Sequence, residues 1–364
     1  MHSKIININK VDNYKIIAIS DVHGHVDHLK NLISKVNLKE DDYLIIIGDF
    51  INRGPQSYET FKYIQQLSKR SNTIILKGNH EAFIYEFITD AKRSSRLLNF
   101  LQKGYYETLI NDLVGLSDLD LNHCSSGENL HKHITHNYSD ILNFINELPT
   151  LVEFDEFIFV HGGYDSNFDI NKDENKFLKY DNYNALSPIN EKNIVVGHWP
   201  TSNLRKYSFS NLPIFNNKKN IISIDGGVGV KSSGELNALI IEKNNGKIKY
   251  DCIQENNFKK VTIKKEHNFE PENITLINYP NFDIEIIEKG PILSLCKHLH
   301  SNKLLSVFNC LIEKQRNKTL LSTTYINNFL NLSIGTSVDL CAKYDDCALV
   351  KYQDEFGWVM SYQL

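Results

Sequence analysis

Short apolar runs rich in β-branched residues recur through the first 225 positions: Ile16-Ile17-Ala18-Ile19, Leu44-Ile45-Ile46-Ile47, Thr73-Ile74-Ile75-Leu76, Phe157-Ile158-Phe159-Val160, Ile194-Val195-Val196 and Ile221-Ile222-Ser223-Ile224. Runs this short predict strands buried on both faces, which sets the polar residue after each at the carboxyl edge of a sheet. Between the first three runs, Val26 to Val36 and Ser57 to Leu67 carry apolar residues at spacings of three and four, the period of an amphipathic helix. These read as crossover helices of βαβ units, with Gly54-Pro55 turning the chain into the second.

The rhythm breaks over residues 82–150. Helical patterns at Ala82 to Ile88, Arg96 to Leu113 and Ser139 to Leu148 surround a polar stretch from Ser117 to Asn137. The Asn-, Lys- and Asp-rich residues 166–193 read as a mobile surface loop. Gly226-Gly227-Val228-Gly229 reads as a glycine-rich connection between two strands, because the apolar run Leu236 to Ile241 that follows lacks a helical period. Past the turn Lys243 to Lys247 and a β-like run Ile248 to Ile253, the pattern changes. Alternating runs return only near the end, at Ser337 to Ala342, Ala348 to Tyr352 and Asp354 to Val359.

The polar residues behind the apolar runs form five signatures: Asp21-Val22-His23-Gly24, Gly48-Asp49 with Arg53-Gly54, Gly78-Asn79-His80-Glu81, His161-Gly162-Gly163 and Gly197-His198. They supply hard and borderline ligands without a thiolate, which suits manganese first, with iron or zinc as alternatives, over a closed cysteine site. Two divalent ions about 3.5–4 Å apart, bridged by a carboxylate, can generate a nucleophile and neutralise a phosphoryl anion at neutral pH. Asp49, between the Asp21/His23 pair and the later ligands, is the natural bridge.

In order and content, across roughly residues 15–245, these motifs resemble the calcineurin-like metallophosphoesterases of the PPP type. That group includes the bacterial Ser/Thr protein phosphatases and the symmetrical diadenosine tetraphosphate hydrolases. The resemblance implies two metals, the first held by Asp21, His23 and Asp49 and the second by Asp49, Asn79, His161 and His198. It implies that Arg53 grips the substrate phosphate and that His80 is the general acid. A metal-bridging hydroxide would be the nucleophile, with no phosphoenzyme. It also implies an α/β fold, a β-sandwich flanked by helices. Residues 82–150, inserted directly after Gly78-Asn79-His80-Glu81, would overhang the metal centre and read as a small helical cap that helps choose the substrate. Packing without substrate contact is the alternative for that segment.

One position departs from the phosphoprotein-directed members, which carry Asp-Arg-Gly where this chain has Asn52-Arg53-Gly54. An Asn carbonyl can accept an imidazole N–H and hold the tautomer of His80, but it adds no charge to stabilise the imidazolium. Asn52 should therefore favour aryl phosphates and anhydrides over alkyl phosphates. Asn52-Arg53-Gly54-Pro55 and Gly197-His198-Trp199 also resemble the diadenosine tetraphosphate hydrolases.

Other histidines carry no such pattern. His25 and His28 are expected to be exposed helix residues, and His131, His133 and His136 a solvated segment. Domains are expected at 1–253 for the metallophosphoesterase, 254–290 for a linker or extra strands, and 291–364 for a small, mainly β domain. Its Gly357-Trp358-Val359 resembles the closing hairpin of bacterial SH3-like modules, and a generic hairpin with a core tryptophan is the alternative reading.

Composition narrows the class further. The chain has 364 residues, 41% hydrophobic content and a formal charge of −4, so two domains are expected and general nucleic-acid attraction is not. No signal peptide is visible in Met1 to Lys10, and no apolar run approaches the roughly 18 residues of a membrane span. The six cysteines form no CxxC pair, which fits a reducing cytoplasm, although Cys341 and Cys347 could face each other across a turn. The expected function is a dinuclear metal-dependent phosphoester hydrolase, read first as a bacterial-type Ser/Thr protein phosphatase with a protein partner at its C-terminal domain. The alternative is a diadenosine tetraphosphate hydrolase acting on a phosphorylated small molecule, and a third class is a non-catalytic binding protein.

Overall fold

The computed structural model describes residues 5–10, 13–180, 192–270 and 274–364. It divides into two compact units, Met1–Pro200 with Leu212–Asn256, and Thr201–Asn211 with Asn257–Leu364.

In the first unit β1 (Ile5–Ile8) precedes β2 (Tyr14–Ile19), α1 (Val26–Lys35), β3 (Tyr43–Ile47), α2 (Ser57–Leu67) and β4 (Thr73–Leu76). Helices α3 (Asn79–Thr89), α4 (Ala91–Lys103), α5 (Leu109–Gly115), α6 (Gly127–Asn137) and α7 (Ser139–Glu147) follow. Next come β5 (Leu151–Phe154), β6 (Phe157–Val160), α8 (Ile170–Leu178) and β7 (Asn193–Val196), then β8 (Ile214–Asn216), β9 (Ile221–Ser223), β10 (Leu236–Asn244) and β11 (Lys247–Glu255).

These strands form two sheets, a five-stranded one in the order β11-β10-β2-β3-β4 and a six-stranded one in the order β1-β5-β6-β7-β9-β8. Strands β2, β3 and β4 run parallel, as do β6, β7 and β9. The alternation of side chains along a strand builds two cores from one run. Ile16, Ala18, Ile45, Ile47 and Leu76 meet Val152, Phe154, Phe157, Phe159 and Val195 between the sheets. Ile17, Ile19, Leu44 and Ile46 point the other way and pack with Leu29 and Leu32 of α1, Phe61 and Ile64 of α2, and Ile84 and Ile88 of α3. Burying such a side chain fully contributes roughly 1.5–3 kcal/mol relative to leaving it exposed. This sandwich brings the parallel strands of both sheets to one carboxyl edge.

Several expectations need correction. The pattern from Arg96 to Leu113 is two helices, because Gly104 ends α4 in the left-handed region at φ 60°. The polar stretch Ser117 to Asn137 contains α6, started by the Ser126 hydroxyl accepting the Asn129 N–H at 3.2 Å. Residues 170–178, read as loop, form α8, and 181–191 lie outside the described residues. His28 is only 7% exposed and His25 is half-buried, their rings edge-on at 5.3 Å. His25 Nδ1 lies 2.6 Å from the His23 carbonyl oxygen, so the segment after the first signature packs inward.

The second unit is mainly β. It holds the short helix α9 (Thr201–Leu204), β12 (Lys259–Thr262), β13 (Leu276–Ile277), β14 (Ile284–Glu288), β15 (Leu293–His298) and β16 (Leu304–Phe308). It continues with β17 (Ile312–Gln315), β18 (Lys318–Leu321), β19 (Tyr325–Ile326), β20 (Ser337–Lys343), β21 (Cys347–Tyr352) and β22 (Glu355–Met360). Strands thus occupy part of 254–290. Trp358 is fully buried, stacks on Tyr325 at 5.5 Å and donates its indole N–H to the Ile326 carbonyl at 2.8 Å. Gly357 precedes it because a Cβ there would meet Leu330 Cγ at 2.6 Å. Cys347 faces Cys310 at 3.6 Å between sulfurs and not Cys341, which sits in the bulge between Leu340 and Ala342.

An excursion between β7 and β8 also belongs to this unit. Phe209 stacks on Phe356 at 4.7 Å, and Asn278 Nδ2 donates to the Ser202 carbonyl at 2.8 Å. No helix among the described residues is long and apolar enough to cross a membrane.

Candidate metal centre

All the signature residues lie at carboxyl ends of strands in the first unit: Asp21 and His23 after β2, Asp49 to Arg53 after β3, Asn79 and His80 after β4, His161 after β6 and His198 after β7. Six of them, Asp21, His23, Asp49, Asn52, Arg53 and His198, adopt left-handed backbone with φ between 46° and 72°. Each such non-glycine residue costs on the order of 1–3 kcal/mol, which the surrounding structure must offset. Neighbouring glycines allow the loops to close on each other. A Cβ on Gly78 would collide with the Asp49 carboxylate, and one on Gly197 with Ser20 Oγ and the Asp21 carboxylate.

Two clusters share Asp49. His23, Asp49 and His80 offer ligand atoms within 4.8 Å of one another, and so do Asp49, His161 and His198. Asp49 Oδ2 lies 3.1 Å from His161 Nε2 and 4.0 Å from His80 Nε2, while Oδ1 accepts the His80 N–H at 2.8 Å. Asn79 Oδ1 lies 3.1 Å from His161 Nε2. Asp21 Oδ2 accepts the His198 N–H at 2.9 Å, and Oδ1, 3.7 Å from His23 Nε2, is buried without a hydrogen-bond partner.

The electrostatics favour positive charge here. Burial pushes the Asp21 carboxyl up to about 7, with Asp49 adding to the rise. Burial would also raise Asp49, but the His161 and His80 rings hold it well below the usual carboxylate range. His161 is raised to about 10: burial opposes its charge, and the Asp49 and Asp21 carboxylates outweigh burial. An orphaned buried carboxylate oxygen, a shared carboxylate and a thiolate-free set of imidazoles fit a pair of divalent cations.

Asn52 departs from expectation. Its Oδ1 accepts the Leu109 N–H at 2.9 Å, so the amide nitrogen faces His80 Nδ1 at 3.1 Å. The carbonyl does not accept from the imidazole, because a backbone N–H can only donate and so fixes the amide's orientation. Arg53 Nε donates to His80 Nε2 at 3.3 Å. His80 thus has an N–H-bearing group beside each ring nitrogen, and the neutral ring can accept from only one of them. Burial brings it down to about 4, an effect that Asp49 opposes and Arg53 reinforces.

Residues 14–221 match the family model described as calcineurin-like phosphoesterase. The chain belongs to that family. Among curated relatives, the "Bis(5'-nucleosyl)-tetraphosphatase, symmetrical" of Hamiltonella defensa is 47% identical over 64 residues, 17% of this chain and 22% of the relative. The protein of that name from Buchnera aphidicola subsp. Baizongia pistaciae is 34% identical over 96 residues, 25% of this chain and 34% of the relative. The chain thus spans only 22% and 34% of the length of these relatives. A solved metallophosphoesterase from Sphaerobacter thermophilus has a TM-score of 0.37 at 17% identity, covering 67% of this chain and 89% of that one.

Two buried carboxylates of this calcineurin-like phosphoesterase received no role from the sequence. Glu81, wholly buried, accepts the N–H groups of Gly78 at 2.8 Å, Asp49 at 2.8 Å, Phe50 at 3.0 Å and Ile51 at 3.3 Å, and so shapes the Asp49 loop. Asp225, just past β9, accepts the Gly227 N–H at 2.7 Å through Oδ1 and leaves Oδ2 buried without a partner. Burial, with Asp21 second, raises its carboxyl well above the ordinary range. Asp225 follows an apolar run, as the candidate ligands do. His131 and His133 of α6 contact the Ile88 carbonyl at 2.7 Å and Ser117 Oγ at 2.9 Å.

Proposed function

We propose that this chain hydrolyses phosphoanhydrides bearing nucleosides, of the dinucleoside tetraphosphate class. Two divalent ions, held at Asp21, His23 and Asp49 and at Asp49, Asn79, His161 and His198, would supply a nucleophile at neutral pH and neutralise phosphoryl charge. Arg53 grips a phosphate of the substrate through its guanidinium. Glu81 keeps the Asp49 loop in place.

The observation that carries the substrate class is the orientation of Asn52. With the Asn52 amide nitrogen at Nδ1 and the Arg53 guanidinium at Nε2, the Asp49 carboxylate 4.0 Å from Nε2 favours a His80 imidazolium but is outweighed by burial together with Arg53. An alkyl ester such as phosphoserine needs its leaving oxygen protonated, whereas a nucleoside polyphosphate departs as a stabilised anion. The names of the curated relatives support the same class. Together they favour the nucleotide alternative over the protein-phosphatase reading.

The test is kcat/KM of Mn²⁺-loaded enzyme on diadenosine tetraphosphate and on phosphoserine peptides, with Asp49→Asn as the blank. We expect a preference for the dinucleotide of about tenfold or more, equivalent to about 1.4 kcal/mol. A preference of that size for the phosphopeptides overturns the proposal.

A further inference from the structure

Residues 104–108, between α4 and α5, and Leu109 at the start of α5 lie directly on the loop that carries Asn52 and Arg53. Gly104 turns the chain out of α4 and delivers Tyr105 and Tyr106 side by side. Two hydrogen bonds clamp the segment to that loop, from the Arg53 N–H to the Glu107 carbonyl at 2.7 Å and from the Leu109 N–H to Asn52 Oδ1 at 2.9 Å. The Tyr106 ring lies 5.0 Å from Arg53 Cζ and 5.8 Å from the His80 ring. Tyr106 therefore props the guanidinium by a cation–π contact.

Tyr105 has a different position. It is 65% exposed, and its ring is backed by Phe100 at 5.3 Å and 39°. Phe100 is itself wedged against Tyr106 at 5.1 Å and Phe83 at 6.0 Å. Lys103 Nζ stands 6.0 Å from the Tyr105 ring. A large aromatic ring supported from behind and open to water, one residue from the aromatic that props Arg53, matches a planar group attached to a phosphate chain. An aromatic face accepts any nucleobase by stacking, and the neighbouring cation suits the adjoining phosphates.

We infer that Tyr105 forms a stacking subsite for a nucleobase of the substrate, beside the phosphate-gripping Arg53. The inference rests on the nucleotide reading above and adds to it the element that distinguishes a nucleotide from a bare polyphosphate. It gives the 82–150 insertion a direct part in substrate choice through its exposed aromatic.

Tyr105→Ala and Tyr105→Trp test this in the Mn²⁺-loaded 364-residue chain, with diadenosine tetraphosphate and with inorganic tripolyphosphate, an anhydride without a base. The expected result for Tyr105→Ala is a rise of about tenfold in KM for the dinucleotide, little change in kcat, and an unchanged KM for tripolyphosphate; Tyr105→Trp restores the wild-type KM. Equal effects on both substrates, or none on either, overturn the subsite while leaving the nucleotide reading intact. If the wild type turns over tripolyphosphate but not the dinucleotide, the nucleotide reading itself fails and the subsite with it.

Discussion

The Leu109 N–H holds the side-chain oxygen of Asn52 at 2.9 Å, and this contact from the helical insertion decides which face of the amide His80 meets. Asn52→Asp keeps an oxygen for Leu109 and places the second one, now charged, at His80 Nδ1. A carboxylate there favours the protonated ring. The ratio of kcat/KM on phosphoserine peptide to that on an aryl phosphate should rise about tenfold, since only the poorer leaving group needs the proton. An unchanged ratio in steady-state assays would refute the role given to Asn52.

Asp49 belongs to both candidate metal clusters. Asp49→Asn should therefore lower bound metal from about two ions per chain to less than one, and turnover should fall to that of buffer without enzyme. Elemental analysis of the dialysed protein checks the first outcome independently of any substrate. Retention of both ions would remove Asp49 from the bridging position.

Glu81 serves four buried backbone donors through two oxygens. Glu81→Ala strands them together, and each unsatisfied buried donor costs about 1–3 kcal/mol. A loss of about 3 kcal/mol or more in urea unfolding is expected, with metal binding weakened because the Asp49 loop loosens. Glu81→Gln, which keeps one acceptor oxygen, should fall between that variant and the wild type.

His298, in the second unit, is buried with Nε2 2.8 Å from the Asn281 carbonyl oxygen and Nδ1 2.8 Å from Ser301 Oγ. Burial lowers its pKa below the ordinary value, an effect partly offset by the Asn281 contact. The folded state thus binds fewer protons than the unfolded chain below the unfolded pKa of about 6.5, so this stability is present above that pH and lost as pH falls through it. Unfolding followed by Trp358 fluorescence in a Trp199→Phe background should show a loss between about pH 7 and about pH 5.5 that is smaller in His298→Gln. Identical pH slopes would contradict the assignment.

Local physics left much of this protein legible in its sequence. The β-branched runs specify β2, β3, β4, β6, β7 and β9 because a short segment apolar on both faces is stable only as an internal strand. The three- and four-residue spacings specify α1 and α2, and the polar residues behind each run offer Asp21, His23, Asp49, Asn79, His161 and His198 as candidate ligands. Where the pattern was local but weak, it misled: α6 is a polar helix made by its cap and by Leu130 and Ile134, and His28 is buried by packing that no short window records.

What tertiary structure alone decided are the relations between residues distant in the chain. Asn52 faces His80 with its nitrogen because Leu109 takes its oxygen. Glu81 acquires its role from the Asp49 loop, Tyr106 from Arg53, and the Thr201–Asn211 excursion from strands more than a hundred residues later. The left-handed backbone at Asp21, Asp49 and His198 exists because both sheets hold those loops at one edge. Sequence determines which side chains can bind a metal or shift a proton, since that is their intrinsic chemistry. Partner, orientation and charge environment depend on contacts across the fold, and those set what the chemistry does.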